Sequence, residues 1–401
     1  MMRKVLFAAC LFVAATLQAR SWTPNQVKDV IRKVNTYWQT NNKPEVRSFW
    51  DNAAYHTGNM EVYKLFSEEG GKWKEEGKQM LDYSIRWAEH NRWQGATETD
   101  PTKWKYKNYG EGQDYVLFGD WQICFQTYID LYFIEAADKH GLAQTQEDVH
   151  ESPLSPMRKV QRALEVMGYE ADSPQNDYWW WADALYMVMP VMTKMYRLTG
   201  DRKYLDKLYQ NILYSDGIML DPETGLYFRD GKYVWPKHKS ANGKKDYWAR
   251  GDGWVLAGLA KVLQDMPETY VRQPFFVEKY TRLARAVASL QQPQGYWTRS
   301  MADPQHAPGP ETSGTAFFTY GLLWGVNHGY LSKKEFAPVI AKAWKYLTET
   351  ALQPSGKVGY VQPIGERAIP GQTVDQNSEA NFGVGAFLLA ACEYVRYLEA
   401  K

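Results

Sequence analysis

Cysteine is scarce in this chain of 401 residues: there are three, and only Cys124 and Cys392 lie beyond the first 20 positions. Two thiols cannot build a disulfide framework. One bridge between them is allowed and nothing requires it; Cys124 sits in an apolar helical pattern and reads as a small core residue. An excess of one charge is also missing. Lys and Arg number 47 against 46 Asp and Glu, a formal net charge of +1. With no basic patch, a nucleic-acid partner is not expected. Beyond the N-terminus no apolar run reaches the roughly 20 residues of a membrane span. The seven histidines are scattered. His-Glu-x-x-His, paired-cysteine and EF-hand spacings are absent, so no metal is expected. No glycine-rich phosphate loop and no Gly-x-Ser-x-Gly elbow occurs, so neither a nucleotide cofactor nor a serine esterase is expected. Strand patterns are few and short; the clearest are Gly225-Leu226-Tyr227-Phe228 and Gly295-Tyr296-Trp297-Thr298.

The first residues have a function of their own. Arg3 and Lys4 precede an apolar run from Val5 to Leu17, closed by Gln18 and Ala19. A basic start, an apolar segment of about 12 residues and a small residue at the end describe a secretory signal peptide. Residues 1–19 are read as that peptide, and 20–401 as one exported domain, bacterial periplasm being the expected destination. Phe7-Ala8-Ala9-Cys10 offers a weaker alternative, lipid anchoring at Cys10.

What the chain has in abundance is aromatic surface, with 17 Trp and 28 Tyr. Rings bury much area per residue, and flat rings also pack against sugar C–H faces. Helical periodicity dominates the rest, as in Val27-Val30-Ile31-Val34-Tyr37-Trp38. Several apolar helices begin at a small, polar or acidic cluster. With Gly58, Asp120, Asp183, Asp252, Gly314 and Ala380 as markers, the intervals are 62, 63, 69, 62 and 66 residues. A near-constant period is an internal structural repeat. Each unit pairs an apolar helix with a more charged one, near 72–91, 155–167, 201–214, 272–291 and 333–350. The sixth charged partner is missing from the end, and the helix at 24–40 supplies it. Six hairpins closed end to start form an all-α (α/α)6 toroid. Its inner helices are apolar all round because the outer ring covers them. No Pro-, Gly- or Ser-rich linker divides the chain.

In this arrangement the N-termini of the inner helices share one mouth. Asp183, in Trp179-Trp180-Trp181-Ala182-Asp183, opens one such helix among tryptophans. Desolvation favours the protonated carboxyl, which suits a general acid; the plainer reading is a helix N-cap. Asp120, in Gly119-Asp120-Trp121, holds the same place one repeat earlier. Two carboxylates on adjacent walls are the usual equipment for acid/base work on glycosides. Arg250, in Trp248-Ala249-Arg250-Gly251-Asp252, offers a fork that matches a carboxylate, as on a uronic acid. Its plainer reading is an ion pair with a local Asp. His238, in the loop before that helix, is a candidate hydrogen-bonding partner or a surface residue.

These segments, with Tyr196-Arg197-Leu198-Thr199-Gly200-Asp201 and Glu311-Thr312-Ser313-Gly314, give the chain a resemblance to glycoside hydrolase family 105, the unsaturated rhamnogalacturonyl hydrolases, and more distantly to family 88, the unsaturated glucuronyl hydrolases. The resemblance covers nearly the whole chain after residue 20. It implies the (α/α)6 toroid and a substrate left by polysaccharide lyases, with a C4=C5 double bond in a terminal uronic acid. It implies that an Asp protonates C4, that water adds at C5, and that the resulting hemiketal opens and releases the remaining sugar. Asp183 matches the acid/base and Asp120 the second acidic residue. His238, Trp248 and Arg250 match substrate contacts, and Trp181 and Trp254 the aromatic walls. Two departures stand out: Phe125 where Gly is common, and Asp252 where Asn is common. An inverting glycosidase or sugar epimerase on saturated glycans, or a non-catalytic sugar-binding toroid, would use the same framework.

Overall fold

The computed structural model describes residues 21–107, 109–138 and 156–400. The leader, Cys10 and the first residue of the charged partner expected at 155–167 lie outside them. The described chain is helical throughout. An outer ring consists of α1 (Pro24–Asn41), α3 (Lys72–His90), α6 (Arg158–Asp172), α8 (Lys203–Met219), α10 (Gln273–Ser289) and α12 (Lys333–Tyr346). The inner ring consists of α2 (Trp50–Ser67), α4 (Gly119–Gln122) running on through Ile123 into α5 (Cys124–Asp138), α7 (Ala182–Thr199), α9 (Ala249–Asp265), α11 (Thr312–Asn327) and α13 (Asn381–Glu399). Each inner helix packs on the next, and α13 packs on α2 and on α1, which closes the toroid.

Local signals set the helix ends. Thr23 and Gln26 form a reciprocal capping box at the start of α1. The Glu311 carboxylate accepts the Ser313 and Gly314 N–H groups at the start of α11. Gly200 ends α7 with φ 73°. The inner helix expected near His56 begins earlier, at Trp50, so Gly58 lies inside it. There it serves the closing seam: a Cβ on Gly58 would stand 2.3 Å from the Gly385 carbonyl oxygen. Only two glycines let α2 and α13 meet this closely. Cys124 and Cys392 are both buried and free, so the bridge between them does not form.

The C-terminal halves of the inner helices carry a buried charge network. Lys64 pairs with Glu61 at 2.9 Å and with Asp130 at 3.0 Å. Lys194 joins Asp130 to Asp265, which also takes Arg197. Arg396 joins Glu61 to Glu393. This network fills the closed end of the barrel. The opposite end is open, and the expected strand segments lie there. Among the described residues, they and the positions just after them pair as isolated bridges: Leu220 with Tyr227, Thr298 with Pro310, Trp181 with Asp230 and Trp248 with Ser300. The last two dock a connection against the start of an inner helix: the Ala182 N–H donates to the Arg229 carbonyl at 2.8 Å, and the Ala249 N–H to that of Arg299 at 3.0 Å.

Candidate active site

A cavity of about 240 Å³ opens at this mouth. Asp120 and Asp183 stand in its wall, each in the first turn of its helix. Neither caps it. The N-cap positions are Phe118 and Trp181, without side-chain bonds, so the capping reading of the two acids does not hold. Trp181 lines the cavity as expected, packed on Trp180 at 4.8 Å and Phe118 at 5.5 Å. Trp50 and Tyr109 extend the aromatic wall.

The cavity's cation is Arg229, which the sequence reading missed. The bridge between Trp181 and Asp230 sets it beside α7. Its Nε lies 3.2 Å from Asp183, while Nη1 reaches Asp230 at 2.7 Å and Glu366 at 3.4 Å. Burial opposes its charge, but Asp183, Asp230 and Glu366 more than offset this and hold Arg229 protonated above its ordinary range. Burial first, and then the charge of Asp183, push the Asp120 carboxyl well above its usual range, against the pull of Arg229. Asp120 is thus the raised carboxyl of the cavity, and Asp183 faces a guanidinium.

Four expected contacts stand behind the cavity rather than in it. The fork of Arg250 is occupied by main-chain oxygens: Nη1 donates to the Gln362 carbonyl at 2.6 Å and Nη2 to that of Pro363 at 2.9 Å. The residue is 1% exposed, and its guanidinium lies over the Trp248 and Phe382 rings. Two of its donors are committed to the main chain, and it is absent from the residues that line the cavity. Trp248 is likewise buried and donates its indole N–H to Gln362 Oε1 at 2.8 Å. Together they fasten the strap 362–366, whose Ile364, Gly365 and Glu366 line the cavity. Trp254 is fully buried, edge-on behind Trp50 at 6.2 Å and against Phe317 at 4.4 Å. His238 bonds Asp246 at 2.9 Å and meets the Tyr233 ring, whose hydroxyl donates to Glu366. It reaches the cavity only through that chain.

The two departures are structural. Phe125 is buried in the core. Asp252 accepts the Tyr227 N–H at 2.8 Å, and burial raises its carboxyl well above the usual range. Burial there favours the uncharged form of the carboxyl, which is closer in character to an amide.

The Glycosyl Hydrolase Family 88 model matches residues 22–398. The chain belongs to that family. A solved family 88 glycosyl hydrolase from Bacteroides vulgatus is 51% identical, with 94% of this chain and 100% of that one covered and a TM-score of 0.84. A solved structure described as a polysaccharide lyase is 59% identical, with 94% and 99% covered and a TM-score of 0.83. A curated relative from Formosa agariphila, an unsaturated 3S-rhamnoglycuronyl hydrolase, is 37% identical over 225 residues, 55% of this chain. The match spans 59% of that relative's length. Family 105, the first resemblance in the sequence, shares the fold: a Clostridium acetobutylicum member is 19% identical, with 92% and 98% covered and a TM-score of 0.66. The family 88 toroid accounts for the six-hairpin ring.

Proposed function

We propose that this family 88 enzyme removes a terminal 4,5-unsaturated uronic acid from oligosaccharides released by polysaccharide lyases. The observation that carries this is the pair Asp120 and Asp183, one raised and one facing Arg229, in a single aromatic cavity. An acid and a base with opposed environments are the pair that hydration of an enol ether requires. Asp120 gives its proton to C4 as Asp183 takes one from the water that adds at C5. The hemiketal at C5 then opens, and C1 releases the remaining sugar. Arg229 supplies the positive charge for the uronate carboxylate. The family's naming and the Formosa relative support the same substrate class. Residues 1–19 support delivery to the periplasm, which fractionation of expressing cells tests.

One observation favours a second reading. The relative at 59% identity is described as a polysaccharide lyase. A lyase on this cavity would remove the C5 proton of a saturated uronate and expel the oxygen at C4, which creates the double bond that the hydrolase destroys. The ultraviolet absorbance of the conjugated bond separates them by sign. We expect it to fall when purified protein meets lyase-generated oligosaccharides from uronate-containing glycans. A rise on intact glycans, with no fall on unsaturated ones, would replace the hydrolase by the lyase.

A further inference from the structure

A second cavity of about 240 Å³ opens across the first turn of α2 from the acidic one. Trp50 of that turn lines the acidic cavity and Asn52 lines the other. Asn381, at the start of α13, donates to Asp51 at 3.0 Å and to Asn52 at 2.9 Å and holds the partition in place. The second cavity has aromatic sides, Trp38, Tyr55 and Tyr83, and amide rims at Asn42 and Asn381. It exceeds the roughly 150 Å³ that admits a benzene ring.

The decisive group is His56, which lines this cavity although the residue is only 2% exposed. Its ring stacks on Trp87 at 3.9 Å. Nδ1 lies 2.9 Å from Ser84 Oγ, and that oxygen accepts the Asn59 amide at 2.7 Å. That oxygen can give its hydrogen to Nδ1 or receive one from it, so Ser84 holds the ring by Nδ1 in either tautomer. Burial favours the neutral ring, whose Nε2 is a donor or an acceptor according to the tautomer. Among the described residues, Nε2 has no hydrogen-bond partner. An imidazole nitrogen that opens to an aromatic cavity suits a ligand with both a hydrogen-bonding group and an apolar face. A pyranose ring has both, a hydroxyl oxygen on its edge and C–H groups on its face. No carboxylate side chain lines this cavity, and its only charged lining residue is Lys43, which is exposed at the rim. The interior is thus built for a neutral ring.

We propose that this cavity is a non-catalytic subsite for a neutral sugar ring, with His56 Nε2 hydrogen-bonded to a hydroxyl and the ring's C–H face against Trp38. The ring is either a free monosaccharide or a distal unit of the oligosaccharide whose end occupies the acidic cavity. The second source alone rests on the function proposed above.

The test uses protein labelled with ¹⁵N-histidine and carrying Asp183→Asn, so that bound glycans persist. Methyl glycosides of neutral hexoses and 6-deoxyhexoses are added first, then unsaturated disaccharides and tetrasaccharides. The His56 Nε2 resonance is expected to shift with at least one neutral glycoside or with the tetrasaccharide, and not with the disaccharide. Trp38→Ala, a half-buried rim position, is expected to weaken that ligand about fivefold or more in calorimetry and to leave the disaccharide unchanged. A shift with free glycosides identifies the monosaccharide source; a shift with the tetrasaccharide alone identifies the distal unit. If no ligand moves the His56 resonance, or Trp38→Ala binds the shifting ligand as before, the subsite is overturned. A disaccharide that fails to bind would count against the acidic cavity only, because the glycoside arm does not use it.

Discussion

Arg229 Nε lies 3.2 Å from Asp183, and the same guanidinium reaches Asp230 and Glu366 through Nη1. One cation is thus fixed by three carboxylates before any ligand arrives, so its orientation costs nothing at the moment of reaction. Arg229→Met is expected to lower kcat/KM by about 100-fold or more, by analogy with other fixed charges in catalytic sites. Arg229→Lys should recover little, because a point charge cannot face three carboxylates as a planar fork does. Steady-state rates on an unsaturated disaccharide decide this, and full activity in either variant would remove Arg229 from the mechanism.

The raised Asp120 carboxyl has a sign that can be tested. Burial and the Asp183 charge push it up, while Arg229 pulls it down. Activity that needs the Asp120 proton is therefore lost as pH rises through its value. Asp183→Asn removes one upward push, so the Asp120 titration should move down. Arg229→Met removes the downward pull, so it should move up. Infrared difference spectra of the Asp120 carboxyl, assigned by its loss in Asp120→Asn, report both. Shifts in the same direction in the two variants would contradict the electrostatic arrangement.

Arg250 gives a contrast. Its donors serve the carbonyls of Gln362 and Pro363, so Arg250→Met leaves buried acceptors unpaired. That should cost about 2–4 kcal/mol of stability and raise KM through a loosened strap. A carboxylate clamp would behave differently: KM would rise with Tm unchanged. Thermal unfolding measured beside KM distinguishes the two.

At the closed end, Lys261 is the cation of the buried network without an ion pair among the described residues. Burial, with Lys64 and Lys194 adding to it, lowers its value to about 8 against the attraction of Glu61 and Asp130. The ordinary lysine value is 10.5. Between these two values the unfolded chain holds a proton that the folded chain lacks, so stability rises with pH across that window. Below about pH 8 the cost is constant and full. Lys261→Met should therefore be more stable than the natural chain at pH 7, by up to about 3 kcal/mol, and should flatten the rise. Urea unfolding at a series of pH values measures both. A variant that is less stable at pH 7 would show that Lys261 supports the network.

The ring was legible in the sequence because five of the six inner helices open at a recurring cluster, and the missing sixth partner pointed to 24–40. The helix at Trp50 was harder to place. Its small-residue cluster at Gly58 lies two turns inside the helix, where it serves the contact with α13 and not the boundary. Asp120, Asp183 and Trp181 were legible because the repeat carries them to the mouth. Arg229 was not, because an isolated bridge between distant segments sets its position. The main-chain partners of Arg250 were hidden for the same reason. A sequence shows a fork of donors, but the carbonyls that occupy it come from 112 residues further along the chain.

The glycine seam between α2 and α13 has a consequence for how the molecule is made. The Asn381–Asp51 hydrogen bond spans 330 residues, nearly the whole polypeptide. During synthesis, α2 emerges among the first elements and its last neighbour emerges at the very end. A ribosome that stops short of Asn381 therefore leaves an open crescent rather than a smaller barrel. The flank of α2 around Gly58 and the partition between the two sugar-sized cavities are both unfinished in it. The final helix is thus the one whose arrival completes the enclosure.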